Sequence, residues 1–158
     1  MRTIPEAEAA QYVKELQIYG YTRIKGFMSP EETGRLMGLV TRHFEATQGV
    51  QYAGRPARDH DDRMIYNLQA KDKHFIDILG DPFLTSVLMQ KLNDPYYRFL
   101  PPDVPNYILS YYNARSSGEK LDLHIDSVIP VPGDRTWSMQ VAFILEEQTL
   151  ENGCTIVV

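Results

Sequence analysis

The sequence predicts an α+β fold in which helices pack on a β-sandwich or barrel. Three observations predict it. Apolar residues recur at helical spacing through roughly the first 95 residues, and two of those stretches open on a capping residue followed by proline. From Tyr96 onward the segments become short, aromatic or β-branched, and separated by Gly, Pro, Asn and Asp. Helices first and strands afterwards is the order of an α+β chain rather than of alternating βαβ units.

The elements follow in order. Residues 6–19 carry Ala10, Val13, Leu16 and Ile18 between charged positions, an amphipathic helix that Gly20 stops. Residues 21–24 alternate and read as a short strand. Ser29-Pro30-Glu31-Glu32 is a helix start. Ser29 caps, Pro30 suits the first turn, and Glu32 sits where its carboxylate reaches back to the cap. Leu36, Met37, Leu39, Val40 and Phe44 then form one stripe, giving a helix over 30–46. Residues 48–63, with Arg58-Asp59-His60-Asp61-Asp62-Arg63, read as a long, solvated, charge-balanced loop. Residues 64–68 suggest a short strand and 75–79 a short helix. Asp81-Pro82 opens another helix through Phe83, Val87, Leu88 and Leu92, ended by Asn93-Asp94-Pro95.

Beyond it, Pro101-Pro102-Asp103 and Ser116-Ser117-Gly118 are turns, and 107–113, 121–126, 136–145 and 155–158 are strand candidates. Alternation along 137–144 puts Trp137, Met139, Val141 and Phe143 on a bulky face expected under the helices. Ser138, Gln140, Ala142 and Ile144 fall on a smaller, more polar face that suits a ligand cavity. Residues 1–158 thus read as one domain, helical over about 1–95 and β over about 96–158.

Composition narrows the function. The chain has 158 residues, enough for one domain of ordinary size. Its single cysteine, Cys154, excludes an internal disulfide and reads as a small buried filler. Sixteen Lys and Arg against 21 Asp and Glu give a net charge of −5, with no basic cluster, so no nucleic-acid partner is expected. No apolar run approaches the length of a membrane span, and the first residues lack a signal-peptide pattern. The expected setting is the cytoplasm, with no membrane partner.

The chemistry points to His124-Ile125-Asp126. On a strand, residues two apart face the same side, so an imidazole and a carboxylate converge while Ile125 turns away. Two readings are open. The pair is either two ligands of the 2-His-1-carboxylate triad that holds non-heme Fe(II) with open positions, or a histidine hydrogen-bonded to a neighbouring aspartate. Among the other histidines, His43 reads as a helix-flank residue and His74 as solvated, while His60 belongs to the charged loop.

The order of motifs resembles the phytanoyl-CoA dioxygenase family of Fe(II)/2-oxoglutarate oxygenases. Gly20-Tyr21, Ile24 and Gly26-Phe27-Met28-Ser29-Pro30-Glu31-Glu32 come near the start. Gln69-Ala70-Lys71-Asp72 and the Asp81-Pro82 helix start follow. His124-Ile125-Asp126, Glu146-Glu147, Glu151-Asn152-Gly153-Cys154 and Thr155-Ile156-Val157-Val158 complete the order. The resemblance spans essentially the whole chain. It implies a double-stranded β-helix (jelly roll, cupin-like) covered by N-terminal helices, Fe(II) on His124 and Asp126, and 2-oxoglutarate and O2 as co-substrates for oxidation of a small-molecule C–H bond. It also implies that the strand before His124 helps line the 2-oxoglutarate pocket. Tyr111 and Asn113 are therefore candidates, joined by Gln140 from the polar face. Asp126 stands where related halogenases carry a small residue, so hydroxylation or another oxidation is favoured.

In the family, a strand like 156–158 runs into a turn bearing the third ligand, a histidine, followed by an arginine that pairs with 2-oxoglutarate. The sequence ends at Val158 before such a turn, so it is expected to be the N-terminal part of a jelly-roll oxygenase, inactive by itself. A non-catalytic jelly-roll module that binds a ligand or partner is the alternative. A cupin-like metal enzyme of another class ranks lower, because two histidines on one strand are not seen.

Overall fold

The computed structural model describes residues 5–47, 63–94, 96–98, 100–116, 122–126 and 135–158. They form four α-helices, a 3-10 turn and a two-stranded sheet: α1 Glu6–Tyr19, α2 Pro30–Thr47, β1 Arg63–Tyr66, the 3-10 turn Leu68–Ala70, α3 Lys73–Leu79, α4 Pro82–Leu92 and β2 Asn113–Ser116.

Local chemistry accounts for the helix ends. Gly20 adopts a left-handed φ of 76°, and its N–H donates to the Leu16 carbonyl, closing α1. Ser29 Oγ accepts from the Glu32 N–H at 3.1 Å, the cap expected at the start of α2. Asp72 accepts from the His74 N–H at 2.9 Å ahead of α3. Asp81 accepts from the Leu84 N–H at 3.0 Å ahead of α4, with Pro82 in the first turn. Asp81 is buried (3% exposed), so its carboxylate is committed to that cap.

One core joins the helices. Its buried side chains are Ala9 and Val13 of α1, Leu36, Leu39 and Val40 of α2, Phe75 and Ile78 of α3, and Phe83, Leu84 and Val87 of α4, with Phe27, Ile65 and Leu68. The buried stripe of α1 is Ala9, Tyr12, Val13 and Leu16, whereas Ala10 and Ile18 face outward. Tyr12 meets Phe83 edge-on at 5.4 Å, and Phe27 lies between Phe83 at 6.4 Å and Phe143 at 5.8 Å. Burying a side chain such as Phe75 or Ile78 contributes about 1.5–3 kcal/mol.

The sheet is antiparallel. Arg63 pairs with Ser116, Met64 with Arg115, Ile65 with Ala114 and Tyr66 with Asn113. The Leu68 N–H donates to the Tyr112 carbonyl at 3.0 Å, carrying the contact past the end of β1. Asn67 makes the bend between them in a left-handed conformation, φ 58°.

Several strand expectations are corrected. Residues 21–24, 107–112, 122–126, 136–145 and 155–158 carry no strand. β2 pairs with β1, which lies where a short strand was expected over 64–68 in the helical half. The reason the others fail is that alternation assigns faces but does not make a ladder, which needs a partner in register. Among the described residues only β1 and β2 supply that for each other, and no double-stranded β-helix is laid out.

Part of the alternation survives without a ladder. Met139 and Phe143 pack against the core, as expected for that face, and so does Leu145 beyond it, whereas Val141 of the same face is exposed. Trp137, expected under a helix, is 65% exposed instead. The loop expected over 48–63 and its His60 lie outside the described residues, apart from Arg63 at the start of β1. So do Ser117-Gly118 and Leu121. No described helix is long and apolar enough to cross a membrane.

Candidate metal and co-substrate site

His124 and Asp126 stand together. His124 Nε2 lies 3.2 Å from Asp126 Oδ1, and both side chains are accessible, 52% and 58% exposed. Ile125 between them is exposed as well, so this segment buries none of its side chains. The two polar atoms lie side by side although 122–126 forms no strand.

The other ring nitrogen is held from behind. His124 Nδ1 is 2.6 Å from the Asp122 carbonyl oxygen. A carbonyl only accepts, so Nδ1 carries the proton and donates, which leaves Nε2 with its lone pair toward Asp126 when the ring is neutral. With acceptors at both nitrogens the imidazolium is favoured too. The His124 pKa is raised, most by the Asp122 backbone hydrogen bond; desolvation opposes this in part, and the Asp126 carboxylate adds smaller increases.

The separation fits a histidine–aspartate ion pair and equally two ligands of one metal ion. Two ligand atoms, each about 2.1 Å from one first-row ion and at a right angle, stand about 3 Å apart. That is close to the separation found between Nε2 and Oδ1. A backbone carbonyl on the far nitrogen is the usual orienting contact of a ligating histidine. Among the described residues no group of three or more His, Cys, Asp or Glu side chains gathers to hold a metal.

Of the residues expected around the co-substrate, two meet. Gln140 Nε2 donates to the Tyr111 hydroxyl at 3.0 Å, and both side chains are exposed. Asn113 opens β2, and its amide is directed at the Met64 sulfur at 3.8 Å, a weak contact within the sheet. Behind them Tyr112 is half-buried. Its ring meets Phe75 edge-on at 6.0 Å, and burial pushes its phenol up to about 12.

His74 departs from the sequence reading. Rather than being solvated, its side chain is only 18% exposed, and Nε2 lies 3.2 Å from the Glu32 carboxylate, itself 16% exposed. The approach is not aligned as a hydrogen bond, since that nitrogen has no hydrogen-bond partner. It acts as a charge contact between α2 and α3 when the ring is protonated. Helix periodicity carries no sign of it, because the pairing is between two helices. Cys154 is half-buried in the turn after Asn152-Gly153, where its N–H donates to the Thr149 carbonyl at 2.9 Å.

A family model, Phytanoyl-CoA dioxygenase (PhyH), matches residues 16–158. No curated protein and no solved structure matches the chain.

Proposed function

This chain belongs to the phytanoyl-CoA dioxygenase family, and from that membership we propose that it is part of a non-heme Fe(II)/2-oxoglutarate-dependent dioxygenase that hydroxylates or otherwise oxidises a C–H bond of a small-molecule substrate. The family implies a cupin-like jelly roll, and we take the helices around Phe83 to cover that barrel. The expected setting is the cytoplasm. The observation that carries the reading is the 3.2 Å approach of His124 Nε2 to Asp126 Oδ1.

Iron and 2-oxoglutarate, when bound, supply the activation of O2 and the oxidising power. The chain's own residues hold and orient. His124 and Asp126 are the proposed ligands. The Asp122 carbonyl holds the His124 Nδ1 proton, so Nε2 is presented to the metal and the ring cannot turn freely. Tyr111 and Gln140 are joined by a hydrogen bond that presets both polar groups, the arrangement wanted of residues that receive 2-oxoglutarate. Asn113 borders the same segment from β2.

The test is succinate release from 2-oxoglutarate by the full-length protein. His124→Ala and Asp126→Ala should each abolish it while circular dichroism stays that of the parent. Parent-like release from either variant overturns the proposal.

A further inference from the structure

We propose that the groove between α2 and α3 binds a phosphate-bearing small molecule, held by Arg35 and Arg42. The groove is open to solvent, has a volume of about 770 Å³, and is lined on the α2 side by Gly34, Arg35, Gly38, Leu39 and Arg42 and on the α3 side by Lys73 and His74, with Asp72 and Asp77. That volume is in the range of small-molecule sites, about 300–1,000 Å³. It shares no residue with the His124 and Asp126 site.

The described lining residues carry one net positive charge, Arg35, Arg42 and Lys73 against Asp72 and Asp77. Asp77 is paired with Lys73, and Asp72 accepts the His74 N–H as the cap of α3. Among the described residues neither Arg35 nor Arg42 has an acidic partner. Glu31 lies one turn before Arg35 but makes no ion pair with it, and Glu32 is turned to His74. Among the described residues, two guanidinium groups without an ion pair thus line one wall, in a chain whose net charge is −5. Seven residues apart is two helical turns, so both lie on one face of α2, about 10 Å apart along it, and their long side chains can close on one ligand. The planar fork of arginine suits the oxygens of phosphate.

Between the two arginines the wall is formed by Gly38 and Leu39, with Gly34 just before Arg35. Gly34 and Gly38 stand one turn apart in the interior of α2, where glycine disfavours the helix. A Cβ at either would meet nothing within 4 Å, so packing inside the protein does not call for glycine. The absent side chain of Gly38 leaves room for a ligand between the two arginines, and that of Gly34 widens the same wall beside Arg35. The two guanidinium groups suit a phosphate-bearing anion.

The probe is inorganic pyrophosphate, titrated calorimetrically into the chain without added metal. We expect saturable binding at one site per chain. Arg35→Gln and Arg42→Gln should each weaken it about tenfold, and the double variant about a hundredfold, as expected for lost charge-assisted hydrogen bonds. Both side chains are exposed, so melting temperatures should stay near the parent's. Lys14→Gln with Lys25→Gln removes the same charge elsewhere on the surface and should leave affinity unchanged, as should His124→Ala. Absence of saturable binding, or equal weakening by the paired lysine variant, overturns the proposal. So does loss of binding on His124→Ala, which would place the anion at the candidate iron site.

Discussion

Gln140 Nε2 donates to the Tyr111 hydroxyl at 3.0 Å, tying together two exposed segments that belong to neither strand of the sheet. Beside it, Tyr112 turns inward to Phe75, while Met139 and Phe143 face the core. Each segment therefore keeps one side for packing and one for polar contact, even where no ladder forms.

If Tyr111 and Gln140 receive 2-oxoglutarate, removing their bond should loosen that pocket and leave the metal ligands intact. Tyr111→Phe and Gln140→Leu are each expected to raise the KM for 2-oxoglutarate about two- to tenfold, the effect of one hydrogen bond of about 0.5–1.5 kcal/mol. Iron affinity should be unchanged. Steady-state kinetics with equilibrium iron binding checks both.

Two helix caps differ in their surroundings, and their loss should cost different amounts. Asp81 is buried and caps α4, whereas Ser29 is exposed and caps α2. Asp81→Ala is expected to destabilise by about 2 kcal/mol and Ser29→Ala by about 1 kcal/mol or less. Urea unfolding of the two variants beside the parent gives the comparison. Equal losses would contradict the role assigned to burial.

The aromatic group around Phe83 joins α1, α4 and the Phe27 turn. Phe83→Ala should cost about 3–5 kcal/mol, the usual range for emptying a buried phenylalanine site. Ile76→Ala, on the exposed side of α3, should cost far less. Thermal melts of both proteins separate core from surface.

Tyr112 adds a dependence on alkaline pH. Burial raises its phenol from 10.0 to about 12 in the folded chain. Below pH 10 both folded and unfolded forms are protonated, and the stabilisation is intact. Between pH 10 and 12 the unfolded chain loses the proton first, so stability falls as pH rises. Because the ring is only partly buried, the loss attributable to it is at most about 2 kcal/mol. Tyr112→Phe should flatten that part of the stability profile, measured by urea unfolding across the interval.

The sequence by itself determined what depends on neighbours a few residues apart. Gly20 ends α1, Ser29 and Asp81 cap the helices that Pro30 and Pro82 open, and each of those contacts spans no more than four residues. His124 and Asp126 also meet as near neighbours, although the strand from which their convergence was expected does not form. The order of short motifs likewise pointed to the family that matches residues 16–158. Tertiary structure decided whatever needs a partner far along the chain. Residues 107–112 and 136–145 alternate like strands yet form none, because no described segment pairs with them, while 63–66 finds its partner in 113–116. The contact of Glu32 with His74, the exposure of Trp137 and the unpaired arginines facing α3 also arise only from packing. Helix ends are closed by hydrogen bonds within the local chain. Ladders and interhelical pairs require two distant segments to meet in register, and periodicity in one segment carries no information about the other.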